Sequence, residues 1–195
     1  MTVVVHRIFD EDGRQRVSDE VLRDVWRRVV VEGRVETTFY AGGVNTPAEF
    51  LAFLRQPHVV ASLACARTDG HPLALGWLTH AGEQSAFAHF CVLGPFRRSA
   101  GEAMVSHWRD LTDATGAPLV DMLLGITPEI NTGALRLARI MGFTTVGTIP
   151  RYCRCAYAGV RCGGVLSCLD LAGASGQPRP ETTGLSNRTT DTDRT

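Results

Sequence analysis

The chain reads as one α+β domain over residues 1–171, its helices laid on a mixed, mainly antiparallel sheet. Three observations predict this. Apolar residues recur at helical spacing in windows that open with capping residues. Short apolar runs bounded by turn residues fill the stretches between them. From Ala172 onward Gly, Ser, Thr, Pro, Asn and Asp dominate, with Leu185 almost the only apolar residue. Such a segment cannot bury enough surface to offset its chain entropy, so residues 172–195 are expected to form a disordered tail.

Thr2 to Ile8 alternates loosely as a first strand and gives way to a polar turn through Asp10 to Gly13. Ser18 is a good N-cap for a helix carrying Val21, Leu22, Val25, Trp26, Val29 and Val30 on one side. The next helix starts with Thr46 as cap, Pro47 at its first position and Glu49 completing a capping box, and Pro57 stops it. His58 to Ala66 and Pro72 to His80 read as strands joined at Asp69-Gly70. A turn around Gly82-Glu83 leads to a strand ending at Leu93. Two further strands are expected near Thr144 to Ala156 and Gly164 to Leu171.

The 195 residues suffice for one domain with a core. Basic and acidic residues balance at 20 each, so no global field favours nucleic acid or an anionic membrane. No apolar run approaches the length of a membrane span, and Val3-Val4-Val5 is too short for a signal-peptide core, which makes the cytoplasm the expected compartment. Reduced thiols are expected there. The spacing of Cys153, Cys155, Cys162 and Cys168 does not match paired zinc knuckles, so these cysteines read as small buried hydrophobes and no metal is expected.

The stretch Arg98-Ser99-Ala100-Gly101-Glu102-Ala103 lies between the strand ending at Leu93 and a helix carrying Met104, Val105, Trp108 and Leu111. A loop of small residues opening a helix leaves backbone N–H groups directed outward, and the positive end of the helix dipole adds to them. The site suits a phosphate or pyrophosphate, with Arg97 and Arg98 as side-chain cations. Further on, Pro118 to Ile126 reads as a strand, and Asn131-Thr132-Gly133-Ala134 opens a short helix ending at Met141-Gly142-Phe143.

With both segments together, the chain resembles the GNAT superfamily of N-acetyltransferases over roughly residues 58 to 170. The acetyl-CoA loop of that family follows Arg/Gln-x-x-Gly-x-Gly/Ala, which Arg98, Gly101 and Ala103 match. Pro95 stands where the family often leaves its fourth strand. Asn131, Ala134 and Gly142-Phe143 match its Asn-x-x-Ala…Gly-Phe signature. A weaker likeness, on Ile126-Thr127-Pro128 and Gly147-Thr148-Ile149-Pro150, is to small acetyltransferase-like proteins of tailed-phage genomes. The resemblance implies a sheet splayed between strands four and five, with acetyl-CoA as co-substrate in the gap. Arg97, Arg98, Ser99, Ala100, Gly101, Glu102 and Ala103 would take its pyrophosphate, and Val92 and Leu93 would offer backbone groups to pantetheine. Asn131 joins this cofactor set, although N-capping alone also accounts for it. The partners implied are a CoA thioester and an amine acceptor; a homodimer stays open.

Two positions depart from the family pattern. Glu102 replaces a usually apolar residue, and a carboxylate within about 4 Å of a pyrophosphate costs on the order of a few kcal/mol at an effective dielectric near 20. Ala138 stands where many members carry the tyrosine that protonates the leaving thiolate; Tyr152 or water is the substitute. His89, on the fourth strand with Phe87, Cys91 and Leu93, is the candidate general base, with His80 and Glu83 next. Tyr40, before the second helix, is placed by the resemblance near the acceptor. A catalytically silent binding or virion-associated relative, a phage-type enzyme acting on a nucleobase, and a Cys91–His89 hydrolase are the alternative readings.

Overall fold

The computed structural model describes residues 2–10, 12–80, 84–95, 98–155 and 159–172, with the backbone alone at His80. Glu83, Arg97, Ala156 and the expected tail from 173 onward lie outside the described residues. In chain order the elements are β1 (Val3–Arg7), α1 (Asp19–Val31), α2 (Val35–Thr38), α3 (Pro47–Leu54), β2 (Val59–Ala66), β3 (Pro72–His80) and β4 (Ser85–Val92). Then follow α4 (Arg98–Arg109), β5 (Met122–Pro128), α5 (Thr132–Ile140), β6 (Thr144–Cys155) and β7 (Val160–Asp170).

Capping chemistry sets the helix starts. The Ser18 hydroxyl accepts from the Val21 amide at 3.4 Å, and Thr46 and Glu49 exchange side-chain-to-backbone bonds of 3.2 and 3.0 Å. Asn131 Oδ1 accepts from the Ala134 amide at 3.1 Å. On α1, Leu22, Val25, Trp26 and Val29 are buried, whereas Val21 and Val30, expected on the same stripe, face solvent at its margins. The four-residue α2 falls in a stretch read as loop; so short a helix carries no periodic signal of its own.

The seven strands form one sheet in the order β1-β2-β3-β4-β5-β7-β6. Every neighbouring pair is antiparallel except β4 and β5. Alternation sorts the strand residues onto two faces. Leu63, Leu75, Trp77 and Cys91 pack with Trp26, Phe50 and Leu54 from α1 and α3. Ala64, Ala74, Leu78 and Ala86 pack with Met104 and Trp108 from α4. A Cβ at Gly76 would stand 2.7 Å from Trp108 Cζ2, so this glycine lets the indole lie directly on the β3 backbone.

Two boundaries differ from expectation. Sheet pairing of β5 begins at Met122, four residues after Pro118, because Pro118 and Leu119 are bonded elsewhere: Leu119 N donates to Leu111 O, and Thr112 bridges Pro118. Arg98 to Ala103 forms the opening turns of α4 in place of a loop. Ala100 and Gly101 are buried there, and Glu102 bonds back to Arg98, so small residues that admit close packing also propagate the helix. The segment still marks the junction between β4 and a helix.

Candidate active site

The parallel pairing of β4 with β5 lasts three positions: Ser85 with Met122, Ala86 with Leu123 and Phe87 with Leu124. Beyond them β5 continues against β7 while β4 continues against β3 alone, and the two strands diverge. The edge of β4 from Ala88 to Val92 therefore has no strand partner on its β5 side among the described residues. In an antiparallel ladder, alternate residues turn their N–H and C=O to opposite edges. Leu93 donates its N–H to Leu73 O at 2.9 Å, on the β3 side. Phe90 and Val92 accordingly direct theirs into the splay. Of the two residues expected to offer backbone groups, Val92 meets the gap and Leu93 has its amide engaged.

A cleft of about 470 Å³ lies between this edge and α5, lined by Arg34, Thr38, Phe90, Val92, Gly94, Asn131, Ala134 and Leu137 among others. A narrower space of about 90 Å³ adjoins it through Phe90, Ala134 and Leu137 and runs on to Ala88, Gly125 and Met141. The N-terminus of α4, where first-turn amides have no intrahelical acceptor, follows Gly94 by four positions. Asn131 lines the cleft while its side-chain oxygen caps α5.

Arg98 and Glu102 are both exposed and form an i,i+4 ion pair at 2.7 Å. The carboxylate is thus neutralised along the helix surface, and the same bond occupies the Arg98 Nε. Ala138 packs against the α4-side core, as a small residue on the inner face of α5.

His89 sits elsewhere than the cleft lining. Its ring stacks on Trp77 at 5.1 Å and 7°, and Trp77 stacks on Phe39 at 5.5 Å and 11°. Its Nε2 lies 3.3 Å from the Thr79 hydroxyl. Burial lowers its pKa to about 4, so the imidazole is neutral near pH 7. Cys91, on the same face, accepts a bond from the Thr38 hydroxyl at 3.3 Å, and burial pushes its thiol up. A thiol held protonated, beside a neutral imidazole that stacks on an indole, does not make the nucleophile–base pair of a cysteine hydrolase.

Tyr152 is 53% exposed on β6 and lines neither space. Tyr40 is set deeper: its hydroxyl lies 3.5 Å from Ile126 O, and burial, with Cys153 next to it, pushes its pKa up to about 12. Cys153, Cys155 and Cys162 form a small buried cluster with it, and Cys155 Sγ lies 3.3 Å from Cys162 Sγ. Among the described residues no group of three or more His, Cys, Asp or Glu side chains, this cluster included, is arranged to hold a metal ion.

The sequence reading missed Glu32, Arg34 and Thr38, which come from the end of α1 and from α2. Glu32 accepts from the Gly94 N–H at 2.7 Å, and Arg34 donates to Gly94 O at 3.2 Å. Their partners lie about sixty positions away, so no local spacing announces them; the only signal was an acid and a base flanking Gly33.

Neither a protein-family model nor a curated protein sequence matches the chain. Solved structures match it in shape. AAC(6')-Ib in complex with ribostamycin and coenzyme A aligns with a TM-score of 0.64 at 13% identity, covering 93% of this chain and 100% of that one. RimL, a ribosomal L7/L12 α-N-protein acetyltransferase in complex with coenzyme A, aligns at 0.63 and 11%, covering 88% and 95%. A GNAT-family acetyltransferase from Bacillus anthracis aligns at 0.62 and 10%, covering 87% and 95%. With the parallel β4–β5 pair, the splay after Phe87 and helices on both faces, the chain has the fold of the GNAT acetyltransferases.

Proposed function

We propose that the chain is an acyl-CoA-dependent N-acyltransferase that moves an acetyl group from acetyl-CoA to a primary amine by direct attack. The observation that carries the reading is the splay itself. A strand edge with unpaired amides faces a cleft of about 470 Å³ whose lining reaches Gly94, four positions before a helix N-terminus opened by small residues. Pantetheine fits that edge as a strand-like ligand on Phe90 and Val92. The first-turn amides from Arg98 to Gly101, with Arg98 itself, suit its pyrophosphate. The fold likeness to structures holding coenzyme A supports the same ligand.

In the reaction, the amine nitrogen forms a bond to the thioester carbonyl carbon and the C–S bond breaks. The proton lost from nitrogen passes to water in the cleft, because the His89 ring is stacked on Trp77 outside the cleft lining and its pKa, lowered to about 4 by burial, makes it a weak base near neutral pH. A thiol of pKa about 8.5 leaves tolerably as the anion, and water protonates it, since Tyr152 lines neither space. Calorimetry with CoA and acetyl-CoA, on the parent and on Arg98→Glu, tests the binding step. Binding by the parent and a marked loss in the variant are expected, and no heat at millimolar ligand overturns the reading. Kinetics should be sequential; a ping-pong pattern or a trapped acetyl-cysteine contradicts direct attack.

Two observations favour a second reading, a catalytically silent module of the same fold. Arg98 is already paired to Glu102, and α5 carries Ala138 where a tyrosine acid would stand. Coenzyme A binding without turnover of any amine identifies that case.

A further inference from the structure

We infer that Glu32, at the C-terminal end of α1, is a positioning residue that fixes the Gly94 peptide and thereby the approach of the phosphate-binding helix to the cleft. This rests on the acyl-CoA reading and adds to it a residue outside the ligand's reach. Gly94 is the residue at which the chain leaves β4, and its φ of +81° is one that side-chain-bearing residues rarely adopt. Both of its backbone groups are held from the far end of α1. The N–H donates to Glu32 Oε2 at 2.7 Å, and the C=O accepts from Arg34 Nη2 at 3.2 Å. The two side chains are joined in turn by Arg34 Nε donating to the same Glu32 oxygen at 2.8 Å.

Arg28 completes the arrangement. It donates to Pro72 O at the start of β3 and lies 3.4 Å from Glu32 Oε1. The last turn of α1 thus ties the start of β3 to the end of β4. Burial alone would raise the Glu32 pKa, but the Gly94 N–H and the Arg34 guanidinium outweigh it, so the carboxylate stays ionised. With the peptide units on both sides of Gly94 held, its φ and ψ are fixed, and α4 starts four positions later. On this inference the direction of the first-turn amides follows from that fixed backbone. Misplacement of such a group by about 1 Å is enough to weaken a site severely.

Glu32 does not line the cleft, whereas Arg34, which it anchors, does, so substitutions at Glu32 act on the site only through the groups it holds. Glu32→Ala removes the acceptor for Gly94 and the anchor for Arg34. Glu32→Gln keeps a neutral oxygen for the Gly94 N–H. In Glu32→Ala, the dissociation constant for CoA and the KM for acetyl-CoA are expected to rise about tenfold, with kcat at saturation within about twofold. S-acetyl-pantetheine, which lacks the pyrophosphate, should be used equally well by both forms. Glu32→Gln should recover part of the affinity, and it carries the test where Glu32→Ala fails to fold. Hydrogen exchange at the Gly94 amide reads the clamp without any ligand and should speed up in both variants. Unchanged CoA affinity in the variants, or unchanged exchange at Gly94, overturns the inference. Wild-type protein that binds no CoA overturns the acyl-CoA reading first, and this inference falls with it.

Discussion

The two halves of the sheet are built to different standards. From β1 to β4 both faces are covered, and helices α1, α3 and α4 drive Trp26, Phe50, Leu54, Met104 and Trp108 into contact with it. From β5 to β6 the cover is thin. Helix α5 contains no buried residue, and β6 is exposed on both faces from Thr144 to Tyr152. Yet α5 is strongly amphipathic, and its apolar residues Ala134 and Leu137 face the cleft. An apolar stripe that meets a gap instead of a core is a stripe with an unfilled partner. The contrast separates a part of the molecule that holds its shape alone from a part whose packing a ligand would complete.

The largest expected effect tests that contrast directly. Trp108→Ala, at a fully buried ring, should cost about 3–5 kcal/mol in urea unfolding. Leu137→Ala, on the half-buried face of α5, should cost under about 1 kcal/mol in the free protein. It should weaken CoA binding more than it weakens the fold. Equal losses from the two substitutions would mean that the halves are equally packed.

The next effect concerns acid. Burial depresses the His89 pKa to about 4 from its ordinary 6.5. Between those values the unfolded chain carries the proton and the folded chain does not, so stability falls as pH drops through that window and is unaffected by this group above it. The loss amounts to about 3 kcal/mol at most. His107, also lowered chiefly by burial, adds to the slope in the same direction. His89→Gln should remove the His89 share from a pH series of urea midpoints. A slope unchanged in the variant would place His89 in contact with solvent.

The smallest effect lies on the surface. Glu102→Gln breaks an exposed pair with Arg98 and should change stability by no more than about 0.5 kcal/mol. It frees the guanidinium, so CoA binding should tighten severalfold in calorimetry. A weaker complex in Glu102→Gln would show that the carboxylate helps to orient Arg98.

Much of this architecture was legible in the residues. Ser18, Thr46 with Glu49, and Asn131 announced three helix starts because capping is a short-range bond between side chain and backbone. Of the paired motifs, the one at Asn131 to Phe143 pointed to the α5 wall of the cleft, and the one at Arg98 to Ala103 to the start of α4 outside its lining. The illegible features all depend on long-range contacts. Whether Arg98 to Ala103 is loop or helix turned on Ala100 and Gly101 finding a sheet to pack on. The environment of His89 required Trp77, from the neighbouring strand, to meet its ring, and Phe39, at the end of α2, to stack on Trp77 in turn. Glu32 and Arg34 reach Gly94 across a chain separation that no periodicity spans. The exposure of β6 followed from its place at the sheet edge, which pairing order decides and local pattern does not.

The cysteines bear on how the chemistry would be watched. Five of the six are buried and Cys168 is half-buried, and burial pushes the thiols of Cys65, Cys91, Cys153 and Cys155 up, the last to about 11. Thiolates are the form that reacts with disulfide dyes and maleimides, so the folded chain offers such reagents little. Acyl transfer from a thioester sets one new thiol free per turnover, in solution and at an ordinary pKa. A chromogenic disulfide added to the folded protein therefore reads product over a quiet background, and a sudden rise in protein-borne signal marks unfolding and not catalysis.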